Sequence, residues 1–418
     1  MSSAFLHPLF LAFALTAIAA ASPVNAPNPS TAPAVAITEL RSPAGADSGE
    51  SNLFTAPDGT IYLTWCAPGD IPGERALRFA TLARTATTWS EPRIIVSTPL
   101  LMENWADFPS LIVGTDGQLW AQWFQKKPGP DSHGYSGWFA RSADGGATWS
   151  APAPLGHEFV SLAPLSGGRV LAVWLESLGH GGHGHDHAAP TTGAPSMKLS
   201  AALLAPDGTT SREWIIDGDV CTCCQTTLTT LPGDRAFVAY RGHTAEEIRD
   251  HRFALFDGTT WGAPQPLFND RWQIPGCPVN GPAVAAHGDA LAIAWFTAAD
   301  GKARVRAKYS NDRGVTFGAM RGIDLGQPMG RVDIAMLANG NAVITWMETK
   351  SGANTAGIYA RRLAPDGQLS PPVLVADSTQ TRTSGFPRIT LRSDDNLLLT
   401  WTEDTKPNQV RTLEFKAP

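Results

Sequence analysis

The segment Val220 to Thr227 reads VCTCCQTT and places Cys221, Cys223 and Cys224, three of the chain's five cysteines, almost side by side. Thiols at that density offer three chemistries. A bond between the vicinal Cys223 and Cys224 is strained, and one from Cys221 to Cys223 closes a very tight loop, so a disulfide runs more naturally from one of the three to Cys277. Five cysteines cannot all pair. Deprotonated, the same sulfurs are soft ligands that suit Cu(I) or Zn(II). A nucleophilic cysteine would need a base, for which His243 is the candidate. Spacing alone leaves all three readings open.

A second donor-rich stretch is HGGHGHDH, which carries His180, His183, His185 and His187 together with Asp186. Imidazole clusters bind copper, nickel or zinc readily but with little selectivity, and the alternative is a solvated low-complexity loop. Placed near the cysteines, such an arm would suit metal capture and delivery.

The elements that must position these residues announce themselves as a repeat. Seven apolar stretches end on an aromatic: TIYLTWC, QLWAQWF, RVLAVWL, RAFVAYR, ALAIAWF, NAVITWM and NLLLTWT. Their anchors are Trp65, Trp123, Trp174, Tyr240, Trp295, Trp346 and Trp401, spaced about fifty to sixty-five residues apart, which is the length of one four-stranded propeller blade. Each follows a turn and a preceding short strand, as in FPSLIVGTDG, so the stretches are second strands of blades. The expectation is an all-β propeller of seven blades, with six as the alternative. After Trp401 only QVRTLEF remains, so the missing outermost strand is expected from residues 34 to 40, pairing with Gln409 to Phe415 and removing a bare sheet edge.

Propeller geometry sorts the loops. Those entering a first strand and those joining second to third strands open on one face. Nearly all the conspicuous residues fall there: the cysteine trio enters blade 4, Cys277 enters blade 5, Cys66 ends a second strand, and the histidine insert follows Trp174 in blade 3. Neighbouring blades would then bring four thiols together beneath the histidine arm. Trp105 and Trp272, entering blades 2 and 5, either stack on a sugar ring or wedge between blades. Arg249 and Asp250 read as an ion pair or part of a site.

Between third and fourth strands lie SADGGATW and SNDRGVTF, with looser versions FDGTTW and APDGQL. Asp144 and Asp312 are turn-formers there: the side chain caps backbone N–H groups, glycine takes positive φ, and the final aromatic packs between sheets. This pattern resembles the Asp-box, or BNR repeat, of sialidase-like propellers, and with the second-strand repeats the resemblance covers roughly residues 45 to 415. It implies the fold and only weakly an activity.

Were the chain a sialidase, the resemblance would imply three arginines clamping a substrate carboxylate, a tyrosine nucleophile activated by a glutamate, and an aspartate acid/base. The candidates are Arg241, Arg331 and Arg388; Tyr135 or Tyr240; and Asp107 or Asp250, with Asp333 placed to orient Arg331. Tyr240 occupies the position of the packed tryptophan in the other blades. The family's N-terminal Arg-Ile-Pro motif is replaced by GESNLFTAP, no glutamate is assignable, and true sialidases have six blades.

Composition agrees with many short strands and turns: 40 Gly, 33 Pro, 14 Trp and 17% charged residues in 418. A formal charge of -6 without a basic stripe excludes a nucleic-acid partner, and no phosphate-binding loop motif is present. Residues 1 to 21 read as a signal peptide, 22 to 33 as a Pro/Ala/Ser-rich disordered leader, and 34 to 418 as one propeller domain. The reading is therefore an exported monomer, secreted or periplasmic, without a membrane span. It binds copper or zinc through Cys221, Cys223, Cys224 and Cys277 with help from the histidines, and the alternative is an exo-sialidase or a carbohydrate-binding propeller with a glycan-like ligand.

Overall fold

A computed structural model describes residues 1, 35–127, 134–178, 195, 197–352, 354–393 and 395–418. Residues 2 to 34, which hold all but the first residue of the expected signal peptide and leader, lie outside them.

Seven four-stranded antiparallel sheets follow one another along the chain, six built in sequence order from first strand to fourth and the seventh completed by an N-terminal strand. Their second strands are Ile61–Pro68, Leu119–Lys126, Val170–Ser177, Arg235–Arg241, Ala290–Thr297, Ala342–Thr349 and Asn396–Glu403, the seven repeats of the sequence. First strands of successive blades touch all the way round, and Arg388–Leu391 of blade 7 returns to Gly49–Thr55 of blade 1. The ring is closed as expected. Ile37–Leu40 pairs antiparallel with Gln409–Lys416, with Ile37 opposite Phe415 and Leu40 opposite Thr412. Among the described residues no helix is long and apolar enough to cross a membrane.

The anchors are what hold blade to blade. All seven are at most 8% exposed, and each packs against the preceding blade. Trp123 of blade 2 joins Cys66, Leu77 and Phe79 of blade 1, Trp295 of blade 5 joins Phe237 and Phe253 of blade 4, and Trp65 of blade 1 meets Val410 of blade 7. Tyr240 follows the same rule, packed on Val173, Leu199 and Ala201 of blade 3. Truncating such an anchor to alanine costs about 3 to 5 kcal/mol.

On the opposite rim the aspartate turns form as the motif requires. Asp144 accepts from the Ser142 hydroxyl (2.7 Å) and from both the amide and the hydroxyl of Thr148 (2.9 and 2.6 Å). Asp312 does the same with Ser310 and Thr316. Their aromatics reach the preceding blade, Trp149 lying edge-on to Phe79 and Phe317 to Phe237. Gly146 and Gly314, at φ 87° and 81°, sit where a Cβ would meet those same phenylalanine rings at 2.4 and 2.7 Å, so the turn accepts only glycine.

Candidate functional site

The fourth strand of blade 3, Thr210–Val220, hands the chain directly to the cysteine loop, which ends where Thr227–Leu231 begins blade 4. Two features fix the loop. The Cys221 amide donates to the Arg241 carbonyl (3.0 Å), which ties its start to the exit of the second strand of blade 4. Gln225 and Thr226 then staple its end to three other blades. The Gln225 amide donates to the Ala106 carbonyl (2.6 Å), its oxygen accepts from the Gly281 amide (2.8 Å), and the Thr226 hydroxyl donates to the Phe159 carbonyl (2.8 Å). A Cβ on Gly281 would stand 2.2 Å from the Gln225 carbonyl oxygen, so the loops entering blades 4 and 5 touch backbone to backbone.

That approach gathers the sulfurs. Cys221 Sγ lies 4.0 Å from Cys223 Sγ and 3.9 Å from Cys224 Sγ, and all three fall within 4.8 Å of one another. Cys277 stands at the exposed margin, beside Cys223 and 3.5 Å from the Thr222 hydroxyl. All five cysteines are free thiols.

Two arginines lie behind the cluster. Arg249 Nη1 donates to Cys221 Sγ (3.3 Å), while Nη2 pairs with Glu247 (2.7 Å). Arg241 Nη1 in turn donates to the Arg249 carbonyl (2.7 Å). Contacts from Cys223 and Cys224, supported by the Arg249 and Arg241 charges, hold the Cys221 thiol well below its ordinary range against the effect of burial. Cys223 is pushed well above that range by Cys221 and Cys224, burial pushes Cys224 up to about 12, and the contact with Cys223 brings Cys277 down to about 7. Of the three clustered thiols, Cys221 is the one whose ionised form the surroundings favour. A backbone amide also points inward, from Asn280 to Cys224 Sγ (3.4 Å).

The residues singled out for a glycosidase sit differently from that expectation. Arg241 is buried and gives its protons to the carbonyls of Arg249, Asn280 (2.6 Å) and Phe296 (2.9 Å), with its guanidinium over the Trp272 ring. Trp272 is itself buried, wedged against Phe296. Arg331 is spent on the Ser384 hydroxyl (2.8 Å) and the Gly385 and Thr381 carbonyls, stacked over half-buried Trp105. Arg388 pairs with Asp333 at 3.3 Å, so Asp333 orients Arg388 rather than Arg331. Each of the three guanidiniums is thus engaged by its own set of protein partners.

Tyr240 donates to Asp217 (2.6 Å) within the blade core. Tyr135 is half-buried and donates to Asp107 (3.0 Å), which also accepts the Phe159 amide (2.9 Å). Burial raises both the Asp107 carboxyl and the Tyr135 phenol, the reverse of what an activated phenolate needs. Asp250 is occupied by the amides of Arg271 and Trp272 (2.7 and 2.9 Å), and Arg249 pairs with Glu247 instead of with it. His243 sits between Asp219 (2.6 Å) and Glu247 (3.3 Å), and the side chain that contacts Cys221 is Arg249, not this histidine. His180, His183, His185 and His187 lie outside the described residues.

Spacing did not reveal Arg249, Gln225, Thr226 and Asn280 as parts of the cysteine site. The one available hint was that Gln225 and Thr226 directly continue the CTCC run.

Neither a protein-family model nor a curated protein matches the sequence. In structure the chain is similar to a protein of unknown function from Dyadobacter fermentans, at 14% identity and TM-score 0.52, over 92% of this chain and 100% of that one. Fainter likenesses run to a leech intramolecular trans-sialidase (10% identity, TM-score 0.47, 92% and 93% covered) and a Penicillium chrysogenum α-L-arabinanase (11%, 0.46, 92% and 99%). In fold the chain is a seven-bladed β-propeller.

Proposed function

We propose that the chain is an exported propeller that binds a soft transition metal, copper or zinc, through Cys221, Cys223, Cys224 and Cys277, either as a binding protein or as the metal centre of an enzyme. The observation that carries this reading is the convergence of three sulfurs within 4.8 Å, with a fourth at the margin, on loops from two adjacent blades. Three or four thiolates around Cu(I) or Zn(II) make an anionic centre, and Arg249 and Arg241 supply the compensating charge. His180, His183, His185 and His187 serve in this reading to collect metal from solution and pass it down.

A glycan-processing role has less support. Arg241 and Arg331, the natural clamp for a substrate carboxylate, give their protons to main-chain carbonyls and a serine hydroxyl.

The test is metal content beside free-thiol counting. Purified protein is expected to carry about one metal per chain at the cluster, and Cys223→Ser and Cys277→Ser are each expected to lose tight binding. Full metal content in both variants, or a stable disulfide at Cys277 in the metal-loaded protein, sinks the proposal.

A further inference from the structure

At the junction of blades 1 and 2, separated from the cysteine loop by blade 3, a second set of donors converges from three chain segments. Glu50 comes from the first strand of blade 1, Cys66 from its second strand and Glu103 from the loop entering blade 2, and one ligand atom of each lies within 4.8 Å of the others. Cys66 is 0% exposed, and its thiol makes no hydrogen bond among the described residues. It forms the floor of the group. Glu103, with 28% of its side chain exposed, forms the rim and leaves a way in from solvent.

The backbone is bent to achieve this. Glu50 stands at a bulge, where the pairing register shifts between Gly49 and Asn52, and its φ is 51°. Blades 3 and 6 carry the same kind of bulge with Phe159 and Arg331 at φ 53° and 51°. There the re-aimed residue feeds the core or a loop network, whereas in blade 1 it is an acid turned toward a buried thiol.

Arg75 steadies the rim. Its Nε and Nη2 donate to the two Glu103 oxygens (2.9 and 2.7 Å), and Nη1 donates to Asp47 (2.6 Å). Each carboxylate oxygen keeps a second lone pair for another partner. Arg75 sets one positive charge against the Asp47 and Glu103 carboxylates, while burial pushes the Glu50 carboxyl up to about 8 and the Cys66 thiol up as well, so a cation bound here takes the place of their protons.

We propose that Glu50, Cys66 and Glu103 form a second metal site, distinct from the cysteine cluster, that takes a divalent cation of zinc's type. One sulfur and two carboxylates are donors that zinc accepts together, whereas Cu(I) favours the all-thiolate cluster of blade 4. Ligands on a tetrahedral zinc stand roughly 3.3 to 3.8 Å apart, so side-chain shifts of about an ångström complete the site. The two centres divide soft from borderline metal.

The test uses the full chain with Cys221, Cys223, Cys224 and Cys277 all replaced by serine, which leaves Cys66 as the sole thiol. Titration with Co(II) should then give one bound equivalent with a thiolate-to-cobalt charge-transfer band, reversed by Zn(II) and lost in Glu50→Gln with an unchanged circular-dichroism spectrum. No such band, or a band that survives Glu50→Gln, overturns the proposal. If the serine variant does not fold, the same question is put to the chain with its cysteines intact: Glu50→Gln should lose one equivalent of bound zinc, and full retention overturns the site. Failure here leaves the cysteine cluster untouched, because its sulfurs are absent from the first experiment.

Discussion

Cys221 is the thiol of its cluster whose ionised form is favoured because two sulfurs and two arginines face it at once, whereas Cys223 and Cys224 share the same space and keep their protons. Binding a metal with all four sulfurs must displace those protons, since only the thiolate is a ligand. The raised thiols therefore make affinity grow with pH. Two protons give about a hundredfold per pH unit above pH 7, and the slope steepens below it as Cys277, at about 7, also takes up a proton. Competition against a chelator of known pH dependence at pH 6, 7 and 8 checks this, and a flat profile would contradict the assignment. At this scale the sequence was only half legible. The thiols were visible as donors, but Arg249 read as a partner for the adjacent Asp250 and instead reaches Cys221, 28 positions away. Local spacing cannot show a contact made by two loops folding over one another.

Elements were far more legible than residues. A second strand must bury one aromatic against the preceding blade, and that demand recurs in every blade, so Trp65 through Trp401 betray the architecture before any contact is known. The closing strand was legible for a related reason, since Gln409–Lys416 would otherwise present bare N–H and C=O groups. Arg411 pairs there with Glu39, and the Thr412 hydroxyl donates to the Leu40 carbonyl (3.1 Å). Removing residues 22 to 42 deletes this strand and is expected to lower the melting temperature by about 5 °C, through loss of roughly 3 kcal/mol of hydrogen bonding and packing. Calorimetry of the truncated chain decides it, and an unchanged transition would show that the strand does not seal the ring. Bulges stayed hidden, because Glu50, Phe159 and Arg331 share a backbone conformation and no side-chain chemistry.

For the whole molecule the ring is what turns distant sequence into neighbouring sites. Blades 4 and 5 set Cys277 beside Cys223, blades 1 and 2 set Glu103 beside Cys66, and Arg241, Arg249 and Trp272, conspicuous in the sequence for unrelated reasons, meet in one network behind Cys221. The same closure accounts for where two of the candidate clamp arginines spend their donors. Loops entering adjacent blades need donors for their free carbonyls, and Arg241 and Arg331 fill that need from within. The proposed function requires these loops from two blades to hold one metal through sulfur. X-ray absorption at the copper edge, on protein loaded anaerobically with one equivalent of Cu(I), tests it directly. A first shell of three or four sulfurs that falls by one in both Cys223→Ser and Cys277→Ser is expected, whereas a nitrogen and oxygen shell, or a sulfur shell indifferent to both changes, overturns the proposed site.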